Sequence, residues 1–132
     1  MSGPALITLP EFRDERGALA FAETPGHFPF EVRRVFFMYE LPEGGHRGGH
    51  AHRTCHQGIL CLHGSLDLSV ISPWGRASFT LDSPRLALHL PPLSWVDITV
   101  RRPDSVCLVL ASHAYDPADY VNDRGEFDAL IA

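Results

Sequence analysis

A succession of short β-prone runs, punctuated about every ten residues by Gly- and Pro-bearing turns, limits what this chain can fold into. Residues 35–39 lead into Pro42-Glu43-Gly44-Gly45, 58–62 into His63-Gly64, and 66–71 into Ser72-Pro73-Trp74-Gly75. Residues 76–81 and 86–90 follow, the second closed by Pro91-Pro92, and 95–100 and 106–111 complete the series. Alternation is visible within them, for Leu66, Leu68 and Val70 share one face of a strand while Asp67 and Ser69 take the other. Strands this short and evenly spaced assemble as a sandwich or a barrel. Near the N-terminus, Asp14-Glu15-Arg16-Gly17 is a turn signal between two edge strands. A single helix is expected, over 126–131, with Asp123 or Gly125 ahead of it.

The 132 residues suit one domain, 1–132, with no linker, repeat or low-complexity stretch. An apolar fraction of 45% supplies a core, and 20% charged residues argue against disorder. No apolar run reaches the length of about eighteen residues that a membrane span needs, and Met1-Ser2-Gly3-Pro4 opens no basic, apolar leader. A cytoplasmic location without membrane association is therefore expected. A net charge of −5 with no basic stripe speaks against a nucleic-acid partner. Cys55, Cys61 and Cys107 are odd in number and lack CxxC spacing, which fits buried thiols better than a disulfide framework or a thiolate zinc site. All 11 basic residues are arginine, so a Schiff-base lysine is excluded and forked pairing with phosphate or carboxylate is favoured.

Five of the eight histidines fall between His46 and His63. His50 and His52 are two apart, so in a strand their imidazoles project to the same face. Two such rings serve either as metal ligands or as acid/base partners. Gly48-Gly49 just before them allows a ligand to approach closely. Arg47 lies three residues before His50, and Arg33-Arg34 open the preceding strand, where as neighbours only one of them faces the pocket. Their guanidinium groups suit a diphosphate.

The spacing around the pair, with Gln57 five residues after His52 and Gly64 seven further on, resembles the first cupin motif. That resemblance implies an all-β, cupin-type (jelly-roll) β-barrel with a short C-terminal helix. Metal-binding cupins add a carboxylate near Gln57 and a third histidine after the second motif's proline. Here Pro91-Pro92-Leu93-Ser94-Trp95 leads to Val96, and His56-Gln57 occupies the carboxylate position. The metal cage is incomplete unless His56 substitutes as a ligand. Otherwise the pair acts by hydrogen bonding and proton transfer.

Over nearly its whole length the sequence also resembles the sugar 3,4-ketoisomerases that act on dTDP-4-keto-6-deoxyglucose. The resemblance begins with Asp14-x-Arg16-Gly17-x-Leu19 and Pro29-Phe30-x-x-Arg33-Arg34-Val35-Phe36. It continues through Arg47-Gly48-x-His50-Ala51-His52, Gln57, Cys61-x-x-Gly64, Leu81-Asp82-Ser83-Pro84 and Trp95. Val109-Leu110-Ala111-Ser112 and Tyr115-Asp116-x-x-Asp119-Tyr120 close it. It implies a homodimer without metal or cofactor that moves a keto group between C4 and C3 of a dTDP-linked keto-deoxysugar through an enediol. The family's catalytic histidines map onto His50 and His52, and its active-site tyrosine onto Tyr39. One imidazole is then the base, with the other or Tyr39 as donor. Arg47, Arg34, Arg33 and Gln57 are the candidate substrate-binding residues, with Trp95 the aromatic candidate for the thymine beside a packing role. Where the family has histidine or arginine after that tryptophan, this chain has Val96.

His89 alternates with Leu88 and Leu90 and so faces away from the apolar side. Tyr115, Asp116, Asp119 and Tyr120 are expected to cap the C-terminal segment. Three other readings stay open at this level, namely a metal-dependent cupin enzyme, a non-catalytic nucleotide-sugar-binding cupin, and a 3,5-epimerase.

Overall fold

The computed structural model describes residues 2–132. In chain order the strands begin with β1 (Ala5–Thr8), β2 (Glu11–Asp14), β3 (Gly17–Ala20), β4 (Arg34–Leu41), β5 (His46–His52) and β6 (Gln57–His63). They continue with β7 (Leu66–Ser72), β8 (Gly75–Leu81), β9 (Leu86–Leu90), β10 (Trp95–Val100), β11 (Ser105–Ala111) and β12 (Tyr120–Val121), before helix α1 (Arg124–Ile131). One antiparallel sheet has the order β1-β9-β6-β11-β4 and the other β12-β5-β10-β7-β8, while β2 and β3 form a separate hairpin. The strands expected from apolar runs are all present, and the expected barrel takes the form of a jelly roll of two facing sheets. β1 and β12 were not visible as apolar runs.

The inward positions of both sheets build one core. Ile59, Cys61, Cys107 and Val109 from one sheet pack with Leu66, Leu68, Val70, Val96, Ile98 and Val100 from the other. Each of the Val, Leu and Ile side chains contributes roughly 1.5–3 kcal/mol when fully buried. A second cluster lies on the outer face of the first sheet, where Phe28 and Phe30 cover Leu60 and Ala87. A third forms where α1 lies on the second sheet, with Phe127 fully buried against Trp95, Ala51 and Val121. The helix is capped by Asp123, whose side chain accepts from the Glu126 N–H.

One irregularity positions the site. β5 pairs with β10 so that Ile98 faces Arg47 and Asp97 faces Gly48, yet Val96 faces His50. Gly49 is an extra residue, a β-bulge in the strand. Gly48 and Gly49 both have positive φ, 88° and 80°. A Cβ on Gly48 would stand 2.5 Å from the Val96 carbonyl oxygen, so only glycine fits there. The glycine pair thus lies within β5 and bends it at the bulge.

Candidate active site

The bulge brings Arg47 and His50 onto one face although they are three residues apart, because their partners Ile98 and Val96 both point inward. His52, two residues further, shares that face. His50 and His52 lie edge-on, with ring centroids 5.4 Å apart and planes at 86°. A cavity of about 220 Å³ opens above His50, bordered by Arg47, Gln57 and Val96 and by Phe36 and Met38 of β4.

The chain end supplies the rest. β12 pairs with β5 so that Tyr120 lies opposite His52, its ring 4.4 Å from His52 and 5.1 Å from His50. The preceding Asp119 places Oδ2 3.0 Å from His52 Nδ1. Its carboxylate is fixed by the Thr54 N–H at 2.8 Å, the Thr54 hydroxyl at 2.7 Å and the Cys55 N–H at 3.3 Å. Burial alone would raise the Asp119 pKa, but these donors, led by Thr54, and His52 itself hold it below its ordinary value. An ionised carboxylate only accepts, so Nδ1 carries the proton. His52 Nε2 then accepts from the Gln57 amide at 3.2 Å. His52, 4% exposed, is thus a neutral imidazole of defined tautomer, wired to an anion.

Burial lowers the pKa of His50, with the Gly48 carbonyl and Asp97 opposing it. Burial also lowers His52, partly offset by the Asp119 hydrogen bond. Both rings are neutral near pH 7, and the anion behind His52 makes its imidazolium the better supported of the two. Arg34 reaches in from the start of β4, its guanidinium 5.1 Å from the Phe36 ring centroid and 5.7 Å from that of Tyr115. Its Nε is buried without a hydrogen-bond partner. Such an orphan donor costs roughly 1–3 kcal/mol and marks a place for an acceptor.

The structure therefore brings together His50, His52, Arg47, Arg34 and Gln57. It does not bring in Tyr39, Arg33 or Trp95. Phe36 and Met38 are the inward residues of β4, so parity turns Tyr39 outward beside Phe37, 61% exposed. Arg33, next to Arg34, borders a different, outer cleft. Trp95 faces α1 with its ring 5.5 Å from Phe127, while Val96 takes the inward place.

Asp119 and Tyr120 are the site residues that sequence reasoning assigned to capping. Asp116 does cap, accepting from the Ala118 N–H at the short 3-10 turn Pro117–Asp119. His89 and His56 form a separate pair, Nε2 to Nδ1 at 3.0 Å, stacked at 5.2 Å on the outer face of the first sheet against Phe30. His56 is accordingly no substitute ligand for the cupin cage.

With Val96 offering no donor atom and Gln57 a neutral amide, the residues lining the cavity do not fit a three-histidine, one-carboxylate metal. A different set of donors exists behind His52, where a ring nitrogen of His52, Cys55 Sγ and an Asp119 oxygen lie within 4.8 Å of one another.

The family model FdtA (WxcM-like, C-terminal) matches residues 2–132. A TDP-4-oxo-6-deoxy-alpha-D-glucose-3,4-oxoisomerase from Aneurinibacillus thermoaerophilus is 32% identical over 127 residues, 96% of this chain and 91% of that protein. The sugar 3,4-ketoisomerase QdtA from Thermoanaerobacterium thermosaccharolyticum, solved with TDP, superposes with a TM-score of 0.92 at 29% identity, over 98% of this chain and 94% of QdtA. A histidine-to-asparagine mutant of QdtA in complex with TDP-4-keto-6-deoxyglucose gives a TM-score of 0.93 at 28% identity, over 99% and 95%.

Proposed function

This chain belongs to the FdtA family, and from that premise we propose that it is an isomerase that moves the keto group between C4 and C3 of a dTDP-linked 4-keto-6-deoxyhexose. The observation that carries this reading is the pair of neutral imidazoles, one bordering the cavity and the other hydrogen-bonded to a carboxylate.

The chemistry needs a base for the C3 proton and a donor for the C4 oxygen. His50 is the base, because it borders the cavity and burial keeps it unprotonated. It takes the proton from C3 as electrons move onto the C4 oxygen, giving the enediolate. His52 Nε2 takes the proton of the C3 hydroxyl, forming an imidazolium that Asp119 stabilises, and passes it to the C4 oxygen beside Tyr120. The C3 oxygen then becomes the carbonyl as the His50 imidazolium returns its proton to C4, which leaves both imidazoles neutral. Atoms and charge balance without a cofactor. Val96 and Gln57 at the places of metal ligands support a route without metal.

Ligand pockets for drug-sized molecules measure about 300–1,000 Å³. The smaller cavity above His50 suits the hexose ring, with the nucleotide outside it. Arg47 at the rim and Arg34 with its unpartnered Nε are the groups for the diphosphate or sugar oxygens, and Gln57 is a substrate contact once its amide turns from His52. The enzyme acts in the cytoplasm as a single-domain subunit, in keeping with three free thiols. No helix among the described residues is long and apolar enough to cross a membrane.

We further infer a homodimer. The outward residues Val35, Phe37 and Tyr39 are 53%, 60% and 61% exposed on an edge strand, and a second copy is the occupant that would cover them. Incubation with TDP-4-keto-6-deoxyglucose tests the activity. NMR is expected to show a 3-keto product from the wild type and none from His50→Asn, whereas a C5-epimerised 4-keto sugar would overturn the reading.

A further inference from the structure

We propose that His52, Cys55 and Asp119 form an inhibitory site for Zn²⁺, entered from the side of His52 away from the substrate cavity. The donors match the ion, since an imidazole nitrogen, a sulfur and a carboxylate oxygen all lie within 4.8 Å of one another. Tetrahedral zinc holds its ligand atoms roughly 3.3–3.7 Å apart. The 3.0 Å contact between His52 and Asp119 opens slightly and the sulfur closes in, with water as fourth ligand.

Charge favours the set as well. One thiolate and one carboxylate neutralise the dication beside a neutral imidazole, so no net charge is buried. Cys55 is 2% exposed, and among the described residues its thiol is engaged with the His56 carbonyl oxygen at 3.3 Å and the Ser112 hydroxyl at 3.7 Å. Access comes from outside, because Asp119 and Thr54 border an open cleft of about 610 Å³. His50 and Gln57 border the substrate cavity instead.

Binding has a defined consequence. Zinc forms a bond to Sγ, and the thiol proton leaves to solvent. It forms a second bond to Nδ1, displacing the proton shared with Asp119, while Nε2 takes up a proton. One proton is released per ion. His52 is thereby held as the Nε2–H tautomer with its link to the carboxylate replaced by metal, so it no longer cycles through an imidazolium. Substrate enters from the other side, which makes the inhibition non-competitive.

Only the inhibition rests on the proposed isomerase activity; metal binding is tested without it. Titration of the purified, untagged protein with Co²⁺ is expected to give a thiolate-to-cobalt charge-transfer band that saturates at one ion per chain. Cys55→Ser, nearly isosteric and outside the catalytic set, is expected to lack the band with its circular dichroism unchanged. Absence of the band in the wild type, or its survival in Cys55→Ser, overturns the site. In the assay, Zn²⁺ is expected to lower kcat at constant KM, and Cys55→Ser is expected to keep normal turnover with sensitivity reduced about tenfold or more. Competitive inhibition, or undiminished sensitivity in Cys55→Ser, overturns the coupling to His52.

Discussion

Arg47 and His50 stand three residues apart in one strand and face the same cavity, because Gly49 is an extra residue that the opposing strand does not match. In a regular strand that spacing puts two side chains on opposite faces. The bulge converts a strand into a platform carrying a guanidinium and two imidazoles.

Gly48 is the residue most sensitive to a small addition. Gly48→Ala forces a side chain into φ +88° and against the Val96 oxygen. The backbone conformation alone costs about 1–3 kcal/mol. A lower unfolding midpoint is expected, together with loss of turnover beyond what the unfolded fraction explains, because the ladder that aims His50 shifts. Thermal unfolding and steady-state assay of the folded fraction measure the two effects.

Asp119→Asn removes the anion behind His52 and offers Nδ1 a competing N–H donor. Turnover is expected to fall about 10²–10⁴-fold, with KM changed little because Asp119 does not border the cavity. A change confined to KM would place Asp119 in substrate binding instead. The base makes its own pH signature. Since His50 is active when neutral and burial lowers its pKa, kcat/KM should hold through pH 6.5 and fall only below it.

Much of this site could be read from residue order, and its errors were errors of parity and distance. The alternation that makes Phe36 and Met38 inward makes Tyr39 outward, and Val96 inside puts Trp95 outside. The family resemblance points to Tyr39 and the thymine's need of an aromatic partner points to Trp95, but the period of two decides the matter. Asp119 lies 67 residues from His52, and nothing local to either reveals the contact. His89 was correctly read as facing away from the inner core, yet it is only 8% exposed, because Phe30 and His56 cover it from a loop with no period to follow.

That second imidazole pair contributes to acid instability, alongside His50 and His52, whose pKa values burial also lowers. Burial, then the nearby His56, lowers the His89 pKa to about 4. The unfolded chain takes up its proton first, near pH 6.5, so stability falls as pH drops from there towards 4 and this contribution levels off below. The loss amounts to roughly 3 kcal/mol. Urea unfolding from pH 7 to pH 4 is expected to show a steeper decline for the wild type than for His89→Gln. Parallel declines would remove the pair from the account.

The exposed strip on β4 predicts assembly. Phe37→Glu combined with Tyr39→Glu is expected to convert a dimer to a monomer in light scattering after size exclusion, since like charges would meet across the two-fold contact. A wild-type monomer, or a double variant that stays dimeric, places the contact elsewhere.

Turnover in D₂O bears most directly on proton transfer by His50. The wild type is expected to give 3-keto product carrying solvent deuterium at C4, with exchange at C3 of recovered substrate, and His50→Asn to give neither. Product free of deuterium, or formed by His50→Asn at an undiminished rate, would contradict it.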